Sequence, residues 1–114
     1  MNKFLFSTMS LTLADGTDEP FDLEYFIIES QTQSECINIS TYGIEIVKTQ
    51  RSEGIKYTET KTMNEVCTSE KTIYKIAKLL SDNAVTPVTL EEVIADFNNS
   101  IKMEFVSAEA IPSA

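Results

Sequence analysis

The sequence predicts an α+β fold, a four-stranded antiparallel sheet joined as a meander and followed by two C-terminal helices packed on one face. Three observations predict it. Apolar side chains alternate with period two as far as Val66, the signature of half-buried strands. After Cys67 the period lengthens to 3.6, the signature of amphipathic helices. Turn residues separate the alternating segments, and sequential strands usually lie side by side. A chain of 114 residues suits one domain, placed here at residues 1–106, with 107–114 as a flexible tail that lacks any sustained pattern.

The first strand runs from Asn2 to Leu13, where Leu5, Met9, Leu11 and Leu13 share one parity. Asp15-Gly16 turns the chain, and Asp18, Glu19 and Pro20 extend the turn into a polar loop. Phe21, Leu23, Tyr25 and Ile27 then alternate with Asp22 and Glu24, which predicts a second strand paired antiparallel with the first. Gln31 to Glu35 read as a polar break. Ile37 and Ile39 begin the third strand, but Ile44 and Ile46 have the opposite parity, so a bulge is expected in this strand at Gly43. Ser52-Glu53-Gly54 suits a hairpin loop with glycine in the left-handed conformation. The fourth strand, Ile55 to Val66, is rich in threonine and has the polar, lysine-bearing character of an edge.

Thr68 or Ser69 can cap the first helix, whose apolar face is Ile73, Ile76, Ala77 and Leu80, with Asn83 expected as a left-handed stop. Thr89 and Glu92 fit a capping box, with Val88 and Val93 as its hydrophobic staple. The second helix then shows Leu90, Val93, Ile94, Phe97 and Ile101 on one face.

Composition narrows the function classes. Eighteen acids against nine bases leave a formal charge of −9, which repels phosphate backbones and favours a basic partner or none; no nucleic-acid partner is expected. The Asp82–Val88 connection is too long for a DNA-binding helix-turn-helix, and Glu91 and Glu92 would meet phosphate. Lys3-Phe4-Leu5-Phe6 imitates a signal peptide, but Ser7, Thr8, Ser10 and Thr12 break the run. No stretch approaches the ~20 apolar residues of a membrane span, so no membrane association and a cytoplasmic location are expected.

Histidine is absent, which removes histidine-based acid–base and triad chemistry. The three glycines, at positions 16, 43 and 54, are too scattered for a phosphate-binding loop. Neither an enzyme nor a bound cofactor or metal is expected. Cys36 and Cys67 are read as free thiols, with a disulfide across facing strands as the alternative. Glu91, Glu92 and Asp96 read as a solvated face that complements the helix dipole, with cation binding as the alternative.

Aromatic residues on the sheet point to recognition. If the helices cover one face, Phe4, Phe6, Phe26 and Ile28 are expected together on the other as a candidate interaction surface. A homodimer mate joined through the sheet, another protein partner, or the tail through Phe105 and Val106 would cover it. Tyr42-Gly43-Ile44-Glu45-Ile46 and the run from Val85 to Phe97 (VTPVTLEEVIADF) resemble a family of small uncharacterised proteins from Gram-positive, clostridial-type bacteria, a domain of unknown function. The resemblance implies a bacterial cytoplasmic protein and supplies no activity. The expected function is a non-enzymatic protein-interaction or regulatory module; the alternative is a small-ligand or cation-binding protein using the acidic residues of the second helix.

Overall fold

The computed structural model describes residues 2–12, 20–34 and 37–98. Four strands form one sheet in the order β1-β2-β3-β4: β1 (Asn2–Leu11), β2 (Phe21–Ser34), β3 (Ile37–Ser52) and β4 (Ile55–Cys67). Every neighbouring pair is antiparallel, so the sheet is the expected meander. Two helices follow, α1 (Glu70–Asp82) and α2 (residues 90–98), the second entered through a 3₁₀ turn at Pro87–Thr89. Leu13, Glu35, Cys36, Ile101, Phe105, Val106 and the tail 107–114 lie outside the described residues.

One face of the sheet carries the core. Leu23, Tyr25 and Ile27 from β2 and Ile44 and Ile46 from β3 meet Ile73, Ile76, Ala77 and Leu80 of α1 and Leu90 and Ile94 of α2. These are the side chains that the two periodicities select, because period two aims alternate strand residues at one face and period 3.6 aligns a helix stripe. Both helices thus pack on the same side.

The strands depart from simple alternation at two places. In β1 the register against β2 shifts between Leu5, opposite Phe26, and Ser7, opposite Tyr25, so Phe6 is an extra residue. Odd positions after this bulge face the core, including Met9 and Leu11, whereas before it the even position Phe4 does, opposite Ile27. Leu5 therefore leaves the set it was expected to share with Met9 and Leu11.

Gly43 does mark an irregularity, but β3 is continuous against β2 from Ile37 to Gln50 and the extra residues belong to β4. Tyr42 pairs with Cys67 and Ile44 with Met63, so Asn64, Glu65 and Val66 face Gly43 alone. A Cβ on Gly43 would collide with the Met63 carbonyl oxygen and lie 2.9 Å from Asn64 Cα. Glu65 takes a φ of 54° to make the detour. Ile37 and Ile39 consequently lie on the face opposite Ile44 and Ile46. The expected polar break is strand as well: Gln31–Ser34 continue β2 against Ile37–Ser40.

Ser69 caps α1 by accepting a hydrogen bond from Thr72 N at 3.2 Å. At the other end Asn83 has φ −104° and Ala84 takes the left-handed conformation, φ 50°. Ala84 N bonds Ser81 O and Val85 N bonds Leu80 O, which together make a Schellman stop. The expected capping box does not form. Thr86 is the extended residue before the turn and Pro87 its first position, so Thr89 already lies inside it and donates its hydroxyl to Thr86 O. Val88 is 78% exposed and staples nothing. The two-residue loop Glu53-Gly54 has positive φ at both positions, as a primed hairpin turn requires.

Candidate interaction surface

The bulge in β1 decides where the predicted surface residues go. Residues directly opposite one another in a ladder point to the same face. Phe4 faces Ile27 and its ring lies 6.4 Å from that of Tyr74 on α1; Phe6 lies 5.9 Å from Tyr74 and packs on the core. Both belong to the helix face. Phe26 and Ile28 belong to the opposite face, so the structure does not bring the four together.

Phe26 sits in a row that crosses all four strands, Leu5–Phe26–Glu45–Thr62. Leu5 is half exposed beside it. Glu45 accepts hydrogen bonds from Lys3 Nζ at 2.7 Å and Thr62 Oγ1 at 2.8 Å, and its side chain is only 13% exposed. Burial works to raise the pKa of this carboxyl, but the Lys3 and Thr62 hydrogen bonds and the Lys3 charge outweigh it and hold the pKa below the usual range. Lys3 Nζ also stands 5.0 Å over the Phe26 ring. Ile28 lies in the next row between Lys3 and Gly43 and is buried. The centre of this face is thus an apolar pair, Leu5 and Phe26, fixed beside an ion pair that ties β1 to β3.

Farther along the same face a shallow depression of about 270 Å³ is lined by Pro20, Asp22, Thr49 and Arg51. Asp22 accepts a 2.6 Å hydrogen bond from Ser10 there. Sequence reasoning missed Lys3, Leu5 and Glu45. Phe4-Leu5-Phe6 is apolar throughout, so no alternation betrays the bulge, and the partners of Glu45 come from strands distant in sequence.

Glu91 of α2 pairs with Lys61 of β4 at 2.6 Å, which ties α2 to the sheet edge. Among the described residues no group of three or more Cys, Asp or Glu side chains is placed to hold a metal ion. Cys67 is a free thiol that donates to Ser69 O at 3.4 Å, and burial pushes its pKa up, away from the reactive thiolate. No helix among the described residues is long and apolar enough to cross a membrane.

The fold and this face define a small α+β sheet domain whose two described helices pack on one side. The chain belongs to a family of unknown function (DUF6514), which matches residues 3–100. Comparison with curated proteins returned no match, and comparison with solved structures returned none either.

Proposed function

We propose that this protein is a non-enzymatic interaction or regulatory module of the bacterial cytoplasm, acting through the sheet face that α1 and α2 leave free. The observation that carries the reading is the Leu5–Phe26 pair: an exposed aliphatic side chain opposite an aromatic ring that lies under Lys3 of the Lys3–Glu45–Thr62 clasp. Preorganised apolar anchors with a polar rim are the usual energetic centre of a protein contact. A formal charge of −9 favours a partner with a basic rim.

Capture of binding partners from a bacterial lysate by the wild type, Leu5→Glu and Val88→Glu tests it. Both substitutions add the same charge at exposed positions, one on this face and one on the helix side. A stoichiometric partner kept by Val88→Glu and lost by Leu5→Glu supports the reading. A partner kept by both variants, or none at all, contradicts it.

A second reading, small-ligand binding, draws on the depression at Pro20, Asp22, Thr49 and Arg51, which offers charges of both signs at one end of the same face. A thermal-shift screen against metabolites and divalent cations with no stabilising hit would retire it.

A further inference from the structure

We infer that two copies of this chain associate through the β3 edge at Ile37–Thr41, pairing antiparallel about a two-fold axis near Ile39. The inference stands apart from the face proposed above, which the pairing leaves open and presents twice.

The ladder supplies the first ground. β3 is paired with β2 from Ile37 to Gln50 but with β4 only from Tyr42 onward, and β1 begins against Glu29. Ser30–Ser34 and Ile37–Thr41 therefore form a two-stranded arm beyond the four-stranded sheet among the described residues. Such a ribbon is marginal alone, and among the described residues each strand of it has a backbone ladder on one side only. The occupant such an edge accepts is another strand.

Side-chain chemistry selects which strand. Exposed edges are normally protected by charge, proline or a bulge. The outer strand β4 carries Lys56, Glu59, Lys61 and Glu65, and the outer strand β1 carries Lys3 and the Phe6 bulge. The arm has neither device. From Ser30 to Ile44 the sequence holds one residue of the Asp, Glu, Lys and Arg class, Glu35. Two copies that each bear −9 repel wherever their charged surfaces meet, so an uncharged segment is where they can approach. Pairing centred on Ile39 sets Ile39 beside Ile39, Asn38 opposite Ser40 and Ile37 opposite Thr41, with no like charges facing and the two 35 positions at opposite ends. It also joins the exposed Ile37 and Ile39 side chains, 62% and 41% accessible, into one stripe on one face. The polar edge of β2, Ser30–Gln33, offers no such stripe.

Size-exclusion light scattering across micromolar concentrations tests this with three samples: wild type, Ile39→Lys and Ile39→Glu. The wild type is expected at twice its 12.8 kDa chain mass. Each variant alone is expected at the chain mass, and an equal mixture of the two is expected to return to twice that mass, because lysine then faces glutamate. Amide exchange at Ile37–Thr41 in the wild type should slow as concentration rises, a readout that needs no substitution. A monomeric wild type, a dimer that survives in Ile39→Lys, or exchange independent of concentration overturns the inference.

Discussion

The Tyr25 hydroxyl donates a 2.8 Å hydrogen bond to the Val85 carbonyl oxygen, sixty residues away in sequence and wholly inside the core. Val85 is the residue that closes the Schellman stop of α1, so this bond anchors the connection between the helices to the middle of the sheet. Tyr25→Phe removes the donor and strands a buried carbonyl. The expected loss is about 1–2 kcal/mol, read from denaturant unfolding. Burial also pushes the phenol pKa from its ordinary 10 up to about 12. A raised folded-state pKa gives stability that is complete below pH 10 and is lost as the pH climbs towards 12. Wild-type unfolding should show that alkaline loss, and Tyr25→Phe should show less of it.

At Gly43 the β4 backbone passes close against β3. Because the Met63 and Asn64 backbone occupies the space a Cβ needs, Gly43→Ala should cost about 3 kcal/mol or more. Gly54→Ala, where the space is empty and only the φ of 80° objects, should cost less. Equal melting points for the two variants would remove the close-approach explanation.

Ala84 pays the left-handed penalty that glycine avoids. Ala84→Gly should therefore stabilise the protein by about 0.5–1 kcal/mol, since relief of strain exceeds the entropy glycine adds to the unfolded chain. A fall in melting temperature would show that the helix stop is built differently.

The Lys3–Glu45–Thr62 clasp makes stability depend on acid. With its pKa lowered on folding, Glu45 contributes stability that is present above the ordinary carboxylate pKa and lost as pH falls through the folded value. The wild type should lose stability across that acidic interval, and Glu45→Gln should flatten the slope. An identical acid profile in the variant would deny the clasp its energetic role.

Much of this was legible in the sequence. Element number, order and antiparallel pairing follow from the change of period at Cys67 and from the Glu53-Gly54 turn, both local signals. What stayed hidden depends on partners distant in the chain. Gly43 is recognisable as an irregular position, but only the pairing of β3 with β4 shows that the two surplus residues fall within Asn64 to Val66. Gln31–Ser34 lack apolar alternation and no described core residue pairs with them, so backbone pairing makes them strand. At the second helix two start signals overlap, and Pro87 with its fixed φ prevails over Thr89. Thr89→Ala should accordingly change stability by less than about 0.5 kcal/mol.

The placement of the candidate surface residues was legible only in part. Phe26 and Ile28 lie on the free face as the parity of β2 requires, whereas Phe4 and Phe6 are turned to Tyr74 by a bulge inside an unbroken apolar run.

That split of β1 is the claim on which the free face and its proposed role depend, and paired unfolding of Leu5→Ser and Phe6→Ser tests it most directly. The account predicts that Phe6→Ser loses about 2 kcal/mol, as a side chain packed on the core should, while Leu5→Ser stays within about 0.5 kcal/mol of the wild type. The reverse order, with Leu5 the costly position, would place Leu5 in the core and contradict the account.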